Sequence, residues 1–180
     1  MASTRFRRRR SAVVLTAGEL EAPVLVGLLE QLVELVSPTE PAQDQDPLAA
    51  MVGIGTATEV PDDPVLARLF PDAYTDDSEA AGEFRRYTET DLRQAKRVGA
   101  LTALATLDQP GKDRVLTGEE TKAWLGALND LRLAMGTRLD VDEDWARQHA
   151  RLAPDDPRRF WLEVYDWLSH LQETLVRCLD

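Results

Sequence analysis

Three groups of residues in this sequence have the types and spacing for chemistry. The first is the run Arg7, Arg8, Arg9 and Arg10, with Arg5 just before it. Guanidinium groups clamp phosphates or carboxylates through paired N–H donors. In an extended segment alternate side chains point to opposite sides, so about half of the run meets any one ligand. Three roles stay open for it. It is a solvated stretch leading into an edge strand, whose charges discourage edge pairing, or a contact for an acidic protein surface, or a nucleic-acid contact. The second group is Arg85, Glu89, Arg93 and Arg97, spaced by four along one helix face, where Glu89 can pair with either neighbouring arginine. It reads as a solvated ladder, or as a set whose arginines turn inward to meet acids on another helix. The third is Asp130 with Arg132. Arg132 falls within the stripe Leu125, Leu128, Met135, Leu139, and Asp130 falls among small residues. A charge on such a face is costly unless paired. An interhelical ion pair is therefore expected for Asp130 or Arg132, with Arg85, Arg86 and Glu89 as the named partners.

Other chemistries lack their residues. Neither GxGxxG nor GxxxxGK[ST] occurs, so no phosphate-cradling loop is expected, and there is no Gly-x-Ser-x-Gly elbow. Two histidines, His149 and His170, lack the spacing of a zinc site. One cysteine, Cys178, precludes an intramolecular disulfide, and its place on an apolar stripe near the C-terminus predicts a buried, inert thiol. The pairs Asp62-Asp63, Asp76-Asp77 and Asp155-Asp156 stand in turns beside prolines and read as helix caps. No enzyme, no cofactor and no metal is expected.

The 180 residues suffice for one domain, expected over residues 11–180, behind a basic arm at residues 1–10. The arm holds five arginines and no acid, and the rest of the chain sets 16 bases against 32 acids. That balance rules out a broadly basic nucleic-acid binder. No apolar run reaches the length of a membrane span, and no secretory signal follows the arginines, so cytoplasm is the default.

The element signals are mostly helical. Ser11 to Thr16 reads as a short strand, and Thr16 with Glu19 spells a capping box for a helix to about Val36. The segment Arg114 to Leu131 echoes this, with Thr117 and Glu120 as a second box, and the two short strands are expected to pair as a ribbon. Asp46-Pro47 and Asp63-Pro64 each place an N-cap acid before a helix-opening proline. A long helix follows from about Asp77 to Leu107. Ala81, Phe84, Thr88, Leu92, Ala95 and Gly99 share its apolar face, and its end from Val98 is apolar all round and expected to be buried. Gln109 to Lys112 is a turn, a helix spans Gly118 to Leu139, and a last one begins after Pro157. The last helix is expected to bury Phe160, Val164, Trp167, Leu171, Leu175 and Cys178, while Glu163, Asp166, His170, Glu173 and Arg177 face water. Trp124, Trp161 and Trp167 suit core anchors. The fold class is an all-α bundle of about five to seven helices with one short two-stranded β-ribbon.

Three blocks, DPVLARLFPDAYTDDSEAAGEFRRYTETDLR from Asp63, WLGALNDLRLAMGTRL from Trp124 and YDWLSHLQETLV from Tyr165, resemble an actinobacterial family, the AosR-like oxidative-stress regulators, formerly a domain of unknown function. The resemblance spans nearly the whole chain and carries no catalytic signature. It implies a cytoplasmic transcription regulator of the oxidative-stress and thiol response that acts through a sigma factor or RNA polymerase. It also implies gene neighbours in Clp proteolysis and cysteine synthesis, for which an adaptor or scaffold role is the alternative. The family's redox switch uses a close cysteine pair near the N-terminus, where this chain reads MASTRFRRRR. Any oxidant response here would need Cys178, an intermolecular bridge or a different protein. With the partner contact assigned to Arg7, Arg8, Arg9 and Arg10, and a structural ion-pair network to Arg85, Arg86, Glu89, Asp130 and Arg132, the expectation is a protein-binding regulator. DNA is a secondary ligand on this reading, a membrane is not a partner, and a homodimer is allowed.

Overall fold

A computed structural model describes residues 3–37, 57–109, 111–145, 152–153 and 155–179. The Asp46-Pro47 helix start and His149 lie outside the described residues. Strands β1 (Arg5–Arg9), β2 (Ala12–Thr16) and β3 (Asp113–Leu116) form one antiparallel sheet in the order β1-β2-β3. The helices among the described residues are α1 (Ala22–Val36), α2 (Pro64–Leu69), α3 (Ser78–Leu107), α4 (Gly118–Arg138) and α5 (Arg158–Val176). None is long and apolar enough to cross a membrane.

The ribbon expected between the two echoed strands is present, with Val14 opposite Val115. The arginine segment adds a third strand to it. Arg7 stands opposite Val14 and Arg9 opposite Ala12, joined through Arg10 and Ser11. Arg10 adopts the left-handed conformation, φ 58°, that a two-residue hairpin loop demands. Alternation turns Phe6 inward, edge-on to Trp124 at 5.5 Å. The outer edge of β1 is covered in part by α5, where the Phe6 N–H donates to Thr174 Oγ1 at 3.2 Å.

The sheet lies over a core centred on α4, whose Trp124 and Leu128 are fully enclosed. The Trp124 indole N–H donates to Thr106 Oγ1 of α3 at 2.8 Å, so the largest core ring buries no unsatisfied donor. Helix α3 packs on α1 and α4, α2 packs on α4, and α5 closes the other side against α4 and β1.

Local signals were resolved differently in the two echoed units. Thr117 and Glu120 form the reciprocal capping box at the start of α4. The Thr16–Glu19 box does not form, and α1 starts only at Ala22 with Pro23 in its first turn. Tertiary partners claim its members: the Thr16 hydroxyl donates to Asp113 at 2.8 Å, and Glu19 pairs with Lys112 at 2.9 Å. The sheet also runs on by one bond, Ala17 N–H to the Lys112 carbonyl at 3.1 Å. Asp63 caps α2, accepting from the Val65 and Leu66 amides, and Asp77 caps α3 through Ala80.

Two helix faces depart from the apolar pattern. On α3, Phe84, Leu92, Val98 and Leu101 are exposed, whereas Arg85, Glu89 and Arg93 are buried with Ala81, Ala100 and Ala103. The fully buried end expected after Val98 is therefore buried on one side only, the side facing α1 and α4. On α5 the buried stripe is Leu162, Val164, Leu168, Leu171 and Leu175, followed by Cys178. Phe160 and Trp161 are exposed and Trp167 is half-buried. The pairing explains it: Arg132 meets Ser169 and Gln172, and Gly136 lies under Tyr165. Phe160 lies more than one turn before Tyr165 on α5, and Gly136 under Tyr165 is already two residues from the end of α4 at Arg138. Phe160 and Trp161 pack on each other instead, 5.1 Å apart. The five residues expected to face water on α5 do so.

Candidate interaction site

The charged face of α3 is held inside by a set of charged and carbonyl partners, with only Arg85 Nε of this set buried without one. Arg85 Nη1 donates to Glu89 Oε2 at 2.5 Å, and its Nη2 donates to Asp72 Oδ1 at 2.8 Å and to the Phe70 carbonyl at 2.9 Å. Arg93 Nε donates to the other oxygen of Glu89 at 2.8 Å, and the Arg93 guanidinium lies 4.4 Å from the Phe70 ring centre. One turn on, Lys96 Nζ donates to Asp130 Oδ1 of α4 at 2.6 Å. Three bases meet three acids, so the cluster is neutral and can be desolvated. Burial works against the Arg85 charge, but the hydrogen bonds to Asp72 and Glu89 outweigh it and hold its pKa above the ordinary arginine value. This set ties the end of α2 and the start of α4's second half to α3 and supports the architecture.

Arg85, Glu89 and Asp130 therefore lie in ion pairs, and Asp130 makes the interhelical one, with Lys96. Arg86 stands apart. It is half-buried and lines a cleft of about 670 Å³ between α3 and the loop at Thr58, whose carbonyl lies 2.7 Å from where a Cβ on Gly82 would sit. Arg132 is also separate: its Nε donates to Ser169 Oγ at 2.8 Å and its Nη1 to Gln172 Oε1 at 2.6 Å, with Tyr165 beneath it. The members sequence reasoning missed are Lys96, Phe70 and Asp72, whereas the inward turn of Arg85 and Arg93 is the alternative it held open. Lys96 sits three residues after Arg93 on the same face, so its spacing was a signal. Phe70 and Asp72 carried none, because they reach the helix from a loop.

The β1 arginines face the other way. Arg5, Arg8, Arg9 and Arg10 are exposed; Arg7 is tied to Asp113 of β3 across the sheet, and Arg8 Nε donates to the Arg10 carbonyl at 3.4 Å. The strand alternates about Phe6, so Arg5, Arg7 and Arg9 share the outer face and Arg8 points to the same side as Phe6. Cys178 is buried close by, and its thiol donates to the Thr174 carbonyl at 3.1 Å. Burial pushes its pKa up, with Arg8 pulling the other way. Apolar surface concentrates along the outward side of α3, where Tyr74 stands edge-on to Phe84 at 6.1 Å and Tyr87 and Leu92 follow. Among the described residues no group of three or more His, Cys, Asp and Glu is placed to hold a metal ion. The arrangement offers charged and apolar contact surface on a rigid frame.

Comparison with known proteins gives a consistent picture. The model of a domain of unknown function, DUF2017, matches residues 3–179. Proteins named oxidative stress regulator AosR, from Mycobacterium tuberculosis and Mycobacterium bovis, are 34% identical over 173 residues, covering 88% of this chain and 78% of theirs. One from Mycobacterium leprae, named as a putative regulator of the same kind, matches at the same identity and coverage. No solved structure matches.

Proposed function

The chain belongs to the DUF2017 family, and on that premise we propose that it is a cytoplasmic, non-enzymatic regulator of the oxidative-stress response that acts by contacting a sigma factor or RNA polymerase. The names of the mycobacterial relatives support the stress-regulatory part. The observation that carries the contact part is the exposure of Arg5, Arg8 and Arg9 on a strand fixed in the sheet, with Arg10 exposed on the turn that follows. Arginines held on a frame lose little entropy when they engage carboxylates. The outward apolar residues of α3 add a second surface of the kind that protein partners cover. The same arginines favour DNA as a second reading, but the net charge of −11 repels a duplex.

Pull-down of purified sigma factors and core polymerase by the full chain tests this. Retention without DNA, lost on the double change Arg8→Glu and Arg9→Glu, is the expected result. Retention only through DNA, falling steeply with salt, would transfer the role to direct DNA binding. Capture of Clp or cysteine-synthesis proteins instead would make it an adaptor, and capture of none of these would remove the proposal.

A further inference from the structure

A groove of about 420 Å³ opens where the β1–β2 turn, the first turns of α4 and the C-terminal end of α5 meet. Its floor is apolar: Val13 and Leu116 from the sheet, Leu125 from α4, and Cys178. Its rim carries Arg8 and Lys122, and no carboxylate is among the described residues that line it. In a chain with 32 acids against 21 bases, that is a local reversal of sign. Two described acids near its lining in sequence are turned elsewhere. Glu120 is engaged in the capping box, and Glu119 lines a different groove, between α4 and α3. Arg10 stands exposed on the turn beside it, and the start of α4 contributes the positive end of a helix dipole.

We propose that this groove docks an acidic, amphipathic peptide segment of a partner protein, with its carboxylates on Arg8 and Lys122 and one large aliphatic or aromatic side chain over Leu125 and Cys178. The proposal rests on the protein-contact reading above and names the chemistry of the partner. The apolar floor decides between classes of partner. A nucleic-acid backbone would use the cations and leave the floor wet, and the acidic body would oppose a long polyanion. An amphipathic peptide uses both parts: the charges steer its approach, and the buried side chain sets its residence.

The probe is a short fluorescein-labelled peptide in which Asp and Glu alternate with Leu and Phe, read by fluorescence anisotropy. Its controls are the same peptide with Leu and Phe changed to Ser, and a labelled duplex of equal charge. Lys122→Glu and Ser11→Glu change exposed rim positions, and circular dichroism checks that both variants fold. The amphipathic peptide is expected to bind the full chain, and each variant, like the Ser-substituted peptide, to weaken binding at least about tenfold. No binding of the amphipathic peptide, equal binding of the polar one, displacement by the duplex, or indifference to Lys122→Glu would each overturn the proposal. So would self-association of the chain that Lys122→Glu abolishes, since the occupant would then be a second copy. The two readings fail separately. If Lys122→Glu retains sigma factor or polymerase as the unaltered chain does, the groove is wrong and the regulator stands. If the unaltered chain binds the peptide but retains neither protein, the regulator falls and the groove stands.

Discussion

Two arginine-bearing regions of this molecule meet opposite fates. On α3, Arg85 and Arg93 are buried around Glu89, with further partners arriving from Phe70 and Asp72. On β1 and the turn after it, four of five arginines stay exposed, and Arg7 alone finds an acid, at a half-exposed site. Residue type and regular spacing are shared. What differs is whether a carboxylate and a carbonyl from elsewhere in the chain can reach the guanidinium once water is removed. Where they do, the charge becomes part of the core. Where they do not, it is left free to meet another molecule. Burial should therefore set what each ion pair contributes, and a graded series of substitutions tests that.

The largest effect is expected at Glu89. Glu89→Gln removes the charge that Arg85 and Arg93 share at sites under 10% exposed, and should destabilise the fold by about 3–5 kcal/mol. Urea unfolding of the variant measures this, beside Arg9→Ala, which should stay within about 0.5 kcal/mol. A cost under about 1 kcal/mol at Glu89 would erase the contrast between the two regions. An intermediate effect is expected at the sheet. Asp113→Asn weakens the pair with Arg7, both side chains about 40% exposed, and should cost under about 1 kcal/mol, shrinking as salt is added. A cost matching that of Glu89→Gln would show that burial is not the governing variable.

The smallest effect belongs to Asp156. Its carboxylate accepts from the Arg158 side chain and backbone, which lowers its pKa from 3.8 to about 2. A lowered carboxyl pKa stabilises the folded state at pH above the ordinary value, and the contribution is lost as pH falls from about 4 through about 2. An NMR titration should place the Asp156 midpoint near 2, and Arg158→Ala should bring it back toward 3.8. A midpoint unchanged by Arg158→Ala would detach the shift from that arginine.

Particular elements show how far the sequence could be read. Asp63 and Asp77 were legible as caps, because a cap uses only backbone within three residues. The strand pairing of Val14 with Val115 was legible through the echoed segments, but β1 was not, since five arginines among ten residues hide the one inward position, Phe6. Thr16-x-x-Glu19 and Thr117-x-x-Glu120 carry the same local signal, and one of them was overridden by Asp113 and Lys112, about a hundred residues away. The inward face of α3 was misread because hydropathy ranks Phe84 and Leu92 above Arg85 and Arg93. The ranking assumes that a charge enters the interior alone.

The sequence by itself determined the caps at Asp63, Asp77 and Thr117, the acid surplus and the family, since each depends on neighbours in the chain or on composition. Tertiary structure alone decided which face of α3 turns inward, which capping box survives and which arginines remain free. Those outcomes depend on whether distant polar groups arrive to replace water, and local spacing carries no record of that.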